Sequence, residues 1–203
     1  LYPLACTAWP GAPEQIARAE EQALEQLAPA EPVDRALVAV THPELSHHRT
    51  VAQVDLAEEP TTVREPVVRR LRAQAVAQAL SIDRELLRIE SLGYDGNGFS
   101  AVRDPRGLLA TRLRGTFHVV AVPINLQRIV ARALETAGLE VERMVYSLAG
   151  VAAACLPLGA DVTSVGLDPT ARSQRVLLVD LGGRATDVAV LDRMAPERSA
   201  TLP

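Results

Sequence analysis

The chain has 203 residues, of which 48% are hydrophobic, and carries a formal net charge of −4. This composition supports one sizeable packed domain or two small ones and excludes a disordered chain. It contains no block of basic residues of the kind that binds nucleic acid. No apolar run approaches the roughly eighteen residues of a membrane span, and no signal-peptide pattern opens the chain. We therefore expect no nucleic-acid partner and no membrane contact within this segment.

The two cysteines, Cys6 and Cys155, lie far apart and form no metal-binding or redox spacing. This usage is typical of a reducing cytoplasm, so the sequence predicts a cytoplasmic location. The chain begins at Leu1 instead of methionine, and we expect it to be a piece of a longer protein.

The N-terminal segment predicts a helix followed by two strands. Pro13 suits a first helical turn, and apolar residues recur at helical spacing behind it. Ala36–Val40 has the pattern of a short buried strand. A polar loop containing His42 and His47-His48 is expected next, before a second strand at Thr50–Leu56. The two strands are predicted to form a hairpin or to lie side by side.

A longer helix follows the second strand. Thr62 with Glu65 three residues later matches a capping box, while Glu65-Pro66 is an equally good start. The apolar residues that mark one face of this helix are Val67, Leu71, Ala75 and Ala79. Three arginines, Arg69, Arg70 and Arg72, lie mostly off that face. We interpret them as a solvated surface, with an anion or partner site as the alternative.

Turn signals dominate the next segment. Leu86–Leu92 predicts a strand, and Tyr94–Gly98 contains the D-G and N-G dipeptides that favour a tight hairpin. Asp104–Gly107 places proline and glycine where a type I turn prefers them. The order strand, strand, helix, strand, hairpin predicts a compact α+β small domain over residues 33–115.

The pattern changes after residue 115, where strands and helices alternate. Phe117–Val122 predicts a fully buried strand, and Asn125 is a suitable cap for a helix that Gly138 ends. Val141–Tyr146 predicts another strand, after which Ser147 starts a helix of small residues. Such alternation indicates a layered α/β sheet. Residues 193–203 show no periodicity and are predicted to form a loose tail.

A possible phosphate-binding hairpin lies near the end of the chain. The apolar run that ends at Asp180 is followed by Gly182 and Gly183, and an alternating run resumes at Thr186. This pattern predicts strand, tight turn, strand. Glycine amides can approach an anion closely, and a carboxylate at the strand end suits Mg²⁺, directly or through water. An ordinary buried hairpin with a glycine turn explains the same pattern.

Other clusters are less informative. The residues of metal-ligand type are His42, Glu44, His47 and His48, but Pro43 breaks any helix there. Adjacent histidines on a strand point to opposite faces, so a polar loop is the better interpretation. No G-x-S-x-G motif is present, and no serine or cysteine nucleophile lies beside a base. Asp180 and Asp187 are candidates for paired carboxylates whose separation the sequence leaves open.

Four motifs in a fixed order together resemble the first half of bacterial actin-like proteins. They are a strand ending in Val122-Pro123, a helix ending in Ala137-Gly138, the alanine-rich helix at 148–154 and the hairpin at Asp180. Upstream of them, Leu92–Gly96 and Asp104–Leu108 resemble parts of the distinctive small domain of the cell-division protein FtsA. The resemblance covers roughly residues 13–192.

The resemblance implies an architecture and a role. Residues 1–32 and 116–192 would form parts of an actin-like, ribonuclease H-like nucleotide-binding lobe, and residues 33–115 would be the inserted small domain. FtsA-like proteins bind ATP between two lobes and polymerise at the inner face of the membrane. They tether the tubulin-like division ring and contact later division proteins through the small domain.

The resemblance also implies which residues would bind Mg²⁺ and the phosphates of ATP. Asp180 would organise Mg²⁺ through water, and the amides of Gly182 and Gly183 would meet the phosphates of ATP. Thr186 would steady the hairpin or reach a phosphate.

The chain departs from the family pattern next to this site. Family members usually have a glycine and a threonine where this sequence has Arg184 and Ala185, so one close amide approach and one hydroxyl are lost. The first phosphate hairpin and the adenosine motif are absent from the chain. We therefore expect this segment to bind ATP weakly or not at all and to be no enzyme, with at most a weak ATPase activity in the full-length protein.

Two other functions fit the same residues. A PilM-like cytoplasmic scaffold of type IV pilus or secretion machinery shares the small domain and the hairpin, and its partner is a short peptide of a membrane protein. A sugar-kinase-like or phosphatase-like ATPase would need a substrate acid in the second lobe. The sequence leaves both alternatives open.

Overall fold

Strands outnumber helices in the part of the chain that our computed structural model describes. This part comprises residues 34–155, 175–181, 185–192 and 195–202, with single residues at 14, 17, 18, 21, 22 and 25. The single residues are all helical, as the N-terminal pattern predicts. The strands are β1 (Arg35–Val40), β2 (Ser46–Asp55), β3 (Thr61–Thr62), β4 (Arg84–Gly96), β5 (Phe99–Val102), β6 (Leu109–Ala110), β7 (Arg112–Pro123), β8 (Glu140–Tyr146), β9 (Arg175–Leu181), β10 (Thr186–Asp192) and β11 (Ala195–Leu202). The helices with described bounds are α1 (Glu65–Ala79), α2 (Ile124–Thr136) and α3 (Ser147–Cys155).

The largest described sheet is antiparallel and has the order β2-β7-β4-β5. β7 lies inside it because its second half is almost continuously apolar, the pattern of a strand with both faces covered. Helix α1 covers one face, where Leu71 and Ala75 join Phe117 in a buried cluster. The ring of Phe117 lies over Gly115, where a Cβ atom would come within 2.7 Å of it. Glycine at that position is therefore a packing requirement.

Helix α1 starts at the proline and not at the capping box. Its first residue is Glu65, with Pro66 in the first turn, and Arg64 at the N-cap makes no capping hydrogen bond through its side chain. The alternative start at Glu65-Pro66 is therefore confirmed, and the capping box with Thr62 is wrong. Arg69 and Arg70 are exposed, as expected for a solvated face.

A turn forms at both predicted places of the small domain, but the second is not the predicted type I turn. Gly98 follows Asn97 with φ of +82° between β4 and β5, a backbone conformation that suits glycine. In the second turn the amide of Leu108 donates to the carbonyl of Pro105 at 3.1 Å. Gly107 is the third residue of that turn and has φ of +86°, whereas a type I turn has negative φ at this position, so the predicted type I turn over Asp104–Gly107 is wrong.

Strand pairing differs from the sequence prediction at both ends of the small domain. β1 pairs in parallel with β8, a hundred residues further along, and not with β2. β2 pairs with β7 instead, and it begins at Ser46, so His47 and His48 lie in a strand and not in a loop. Phe117–Val122, predicted to open the α/β part, belongs to this same sheet. These pairings join segments that no local pattern connects.

Helix α2 ends as predicted but begins differently. Its N-cap is Pro123 without a capping hydrogen bond from a side chain, so the predicted cap at Asn125 is wrong. Gly138 ends the helix with φ of +80° and donates its amide to the carbonyl of Glu135 at 3.1 Å. The helix and the β1–β8 pair share a small core that contains Val130, Leu134 and Leu139.

The predicted hairpin forms, and a third strand extends it. β9 and β10 are antiparallel neighbours, and β11 pairs with the other edge of β10. The predicted loose tail is therefore wrong over 195–202, where β11 forms. Backbone pairing with β10 orders this segment, although its sequence lacks a clear alternation.

We predict that Leu71→Ala strongly destabilises the small domain. Leu71 is 0% exposed, so its truncation leaves a cavity beneath the sheet and lowers the free energy of unfolding by about 2–5 kcal/mol. Urea denaturation followed by circular dichroism measures this loss. Leu109→Ala is the matched control, because Leu109 is 58% exposed and its truncation is expected to cost well under 1 kcal/mol. Equal losses in the two variants would contradict the packing.

Candidate functional site

The hairpin brings two carboxylates together on one face. Asp180 of β9 and Asp187 of β10 are direct cross-strand partners. Such partners lie on the same side of a sheet with Cβ atoms about 4.5–5.5 Å apart. The separation that the sequence left open is therefore short. Thr186 pairs with Leu181 and lies on the opposite face, away from both carboxylates.

The remaining predicted phosphate contacts lie outside the described residues. These are Gly182 and Gly183. Arg184, which departs from the family pattern, also lies outside the described residues. Ala185 is described and is 7% exposed. Of the four predicted contacts, the structure therefore places Asp180 and Thr186.

Asp180 is half-buried at the end of β9, next to the start of helix α3. The Ser147 hydroxyl, at the first residue of that helix, donates to an oxygen of Asp180 at 3.5 Å. A helix N-terminus and a hydroxyl both favour negative charge nearby. This environment fits a carboxylate that orders Mg²⁺ through water, since Mg²⁺ keeps several waters and binds through one or two carboxylates plus phosphates.

Asp187 has a different environment, because it is fully buried and saturated with hydroxyl donors. Thr41 donates to one of its carboxylate oxygens at 2.7 Å, and Thr201 donates to the other at 2.5 Å. Tyr146 adds a longer contact of 3.4 Å. With three donors around it, Asp187 satisfies the need of a buried carboxylate for hydrogen bonds. It is a structural centre and not a group open to solvent.

Two histidines continue this buried polar cluster into the small domain. In His47 of β2, the Nδ1 atom lies 2.7 Å from the Ser199 hydroxyl oxygen, and the Nε2 atom lies 3.2 Å from the Thr201 hydroxyl oxygen. His118 of β7 contacts the same Ser199 hydroxyl through Nε2 at 3.1 Å. Sequence reasoning missed this cluster. The available signal was a single histidine, His118, inside an otherwise apolar run.

Burial changes the acidity of these groups. It lowers the pKa of His118 to about 4, with smaller contributions from the positive charge of His47, Arg88 and His48. Burial also lowers the pKa of His47, although Asp187 acts in the opposite direction. The pKa of the Tyr146 hydroxyl is raised, mainly by burial and also by the adjacent Asp187 carboxylate. Both histidines are therefore held neutral at neutral pH.

Within the described ranges, no three or more histidine, cysteine, aspartate or glutamate side chains come close enough to hold a metal ion. The predicted Mg²⁺ at Asp180 would thus depend on water and phosphate for its other ligands. Among the described residues, no helix is both long and apolar enough to cross a membrane.

Comparison with known families identifies the small domain. The family described as the SHS2 domain inserted in FtsA matches residues 41–121. The match begins after β1 and extends into β7, which agrees with the pairing of β1 outside the sheet of the small domain. The predicted bounds of 33–115 overlap this range and stay a prediction.

Known relatives extend the likeness beyond that domain. The chain is 28% identical over 159 residues to the cell division protein FtsA of Pseudomonas aeruginosa, covering 78% of this chain and 34% of that protein. It is 21% identical over 171 residues to FtsA of Escherichia coli K12, covering 84% and 38%. The chain thus spans about a third of the length of these curated relatives.

A solved structure supports the fold. The PilM-PilN type IV pilus biogenesis complex contains a chain that matches all of this chain with a TM-score of 0.62, over 51% of its own length and at 14% sequence identity. Identity this low shows the fold alone. With the SHS2 match, it supports an actin-like fold in which residues 41–121 form an SHS2 domain. Among the curated proteins to which most of the chain is similar are the FtsA proteins of these two organisms.

We predict that His118 makes the chain less stable in acid. The pKa of His118 is lower in the folded than in the unfolded state, so stability is fully present above about pH 6.5 and is lost as the pH falls towards about 4. The shift corresponds to roughly 3 kcal/mol at most. Denaturant unfolding between pH 7 and pH 4.5 measures it.

His118→Asn removes the titrating group and serves as the comparison. The variant is expected to lose less free energy of unfolding on acidification than the unmodified chain does. The carboxylates of the chain contribute equally to the loss of stability in both proteins. The difference between the two losses of unfolding free energy therefore measures the contribution of His118. Identical pH profiles would contradict the prediction.

Proposed function

We propose that this chain is the SHS2-bearing part of a cell-division protein that works as a scaffolding adaptor at the inner face of the membrane. The observation that carries the proposal is the FtsA-type SHS2 match at residues 41–121, with FtsA relatives extending over most of the chain. Its partners are other division proteins, among them the tubulin-like ring protein, and further copies of itself in a filament. Contact with the membrane would come from other segments of the whole protein.

ATP and Mg²⁺ bind at the β9–β10 turn in the whole protein, according to this proposal. Asp180 supports it, because its carboxylate sits at the strand end beside the Ser147 hydroxyl and the first turn of α3. Bound Mg²⁺ would neutralise phosphate charge, and Asp180 would hold its water ligands. The amides of Gly182 and Gly183 would approach the phosphates. Thr186 would steady the turn from the opposite face.

The proposed protein acts by assembly and contact, with little or no catalysis. The titratable groups that the structure gathers are engaged in hydrogen bonds within the protein, since Ser199 contacts His47 and His118 and Thr201 donates to Asp187. Asp180 contacts the Ser147 hydroxyl, and the neighbouring carboxylate of Asp187 is already occupied by hydroxyl donors. Such a site suits binding of a nucleotide better than rapid hydrolysis.

We predict that Asp180→Asn weakens binding of MgATP to the whole protein by about tenfold or more, because a carboxylate that orders Mg²⁺ loses its charge. Titration with fluorescently labelled ATP measures the dissociation constant. Asp55→Asn is the matched control, since Asp55 is an exposed acid that pairs with Arg112 in the small domain. Unchanged affinity of the Asp180 variant would refute the role of this carboxylate. Absence of any saturable binding by the unmodified protein would remove the nucleotide from the proposal and leave the scaffold.

We also predict that the whole protein co-sediments with polymers of the tubulin-like division protein. Binding is expected to saturate, and the small domain alone is expected to remain in the supernatant.

The competing pilus scaffold would instead bind a short N-terminal peptide of a pilus membrane protein, which fluorescence anisotropy detects. Peptide binding without co-sedimentation would replace the division role by the pilus role.

A further inference from the structure

A chain of buried and half-buried polar groups crosses the junction between the hairpin sheet and the small domain. It runs from Asp187 on β10 through Thr201 on β11 to His47 on β2, and then through Ser199 on β11 to His118 on β7. We call these five residues the polar relay. Two of them lie within the matched SHS2 segment and three lie in the hairpin sheet.

The direction of every hydrogen bond in the relay follows from Asp187. A carboxylate can only accept, so the Thr201 hydroxyl must use its single proton on Asp187. The oxygen of Thr201 then has only lone pairs to offer to His47, whose Nε2 atom lies 3.2 Å away. That nitrogen must therefore carry the proton of the neutral imidazole.

The same logic continues to the second histidine. With its proton on Nε2, His47 has a bare Nδ1, which accepts from the Ser199 hydroxyl at 2.7 Å. Ser199 has then used its proton, so its oxygen accepts from His118 Nε2 at 3.1 Å. The Nδ1 atom of His118 is left bare, and it is buried without a hydrogen-bond partner. One assignment satisfies all four contacts, and each hydroxyl in it donates once and accepts once.

We propose that the polar relay fixes the position of the small domain on the hairpin sheet, with Asp187 as the positioning residue at its origin. Apolar contacts across this junction are non-directional and tolerate a shift of one surface over the other. Directional hydrogen bonds between buried groups do not, because a displaced relay leaves polar atoms unpaired in the interior. This role goes beyond the proposed function and holds with or without a bound nucleotide.

Tautomers observed by NMR test the relay directly. In the ¹⁵N-labelled 203-residue chain at neutral pH, long-range ¹H–¹⁵N spectra are expected to show both His47 and His118 protonated at Nε2. Free neutral imidazole exchanges between tautomers, so a single tautomer at each histidine reports its fixed partners. Protonation at Nδ1 of either residue would overturn the proposal without any variant.

Two variants separate a directional relay from simple packing. Thr201→Val removes the hydroxyl between Asp187 and His47, so His47 is expected to lose its single tautomer. The amides of β2 should lose protection from hydrogen exchange by roughly tenfold or more, the effect of one charge-assisted hydrogen bond. Thr201→Ser keeps the hydroxyl and is expected to retain both the tautomer and the protection.

Ser199→Ala is a second interruption, further along the relay. It removes the acceptor of His118, so His118 is expected to lose its single tautomer, while Thr201 and Asp187 continue to hold the proton of His47 on Nε2. If Thr201→Val and Ser199→Ala leave the tautomers and the exchange of β2 as they are in the unmodified chain, the relay has no positioning role.

Discussion

The double-sided burial of β7 is the constraint on which the rest of the structure depends. Successive side chains of a strand point to opposite faces, so this strand contributes to two cores at once. Phe117 and Val119 join the cluster beneath α1, while Val120 and Val122 join the cluster formed with β8, α3 and the hairpin sheet. A strand so placed must be apolar on both sides. It also holds the small domain and the actin-like part in one continuous packing arrangement.

The same placement explains the chemistry of the buried polar residues. His118 is on the face of β7 that meets the hairpin sheet and is 2% exposed, so its charged form is strongly disfavoured. A polar group in such a place needs a hydrogen-bond partner, and β11 supplies one through Ser199. The position of His118 on β7 therefore explains its burial, its lowered pKa and its contact with the Ser199 hydroxyl. β11, which backbone pairing with β10 orders, carries both hydroxyls of the polar relay.

The two aspartates of the hairpin have identical side chains but different environments. Asp187 is enclosed by hydroxyl donors and binds the structure together. Asp180 lies directly opposite it, but at the end of its strand, with one long contact to Ser147 and access to the turn. A buried, saturated carboxylate positions neighbouring elements, whereas a half-buried one remains available to water and ions. Two adjacent strands of the hairpin therefore carry one carboxylate inside the packing and one near solvent.

The sequence by itself determined the kinds of elements and many of their ends. Apolar runs predicted β1, β7 and the hairpin, and Gly138 and Gly107 stand where the backbone needs positive φ. These features depend on residues only a few positions apart. The order of weak motifs was also sufficient to indicate the FtsA-like class, and Asp180 was found as a candidate because the hairpin around it is local.

Only the tertiary structure decided which segments meet. It paired β1 with β8, ordered the expected loose tail as β11, and assembled the polar relay around Asp187. The hydrogen bond from Thr41 to Asp187 joins residues 146 positions apart. The physical reason is that strand edges and buried polar atoms need partners without specifying where in the chain these partners lie. Packing of the whole chain makes that choice.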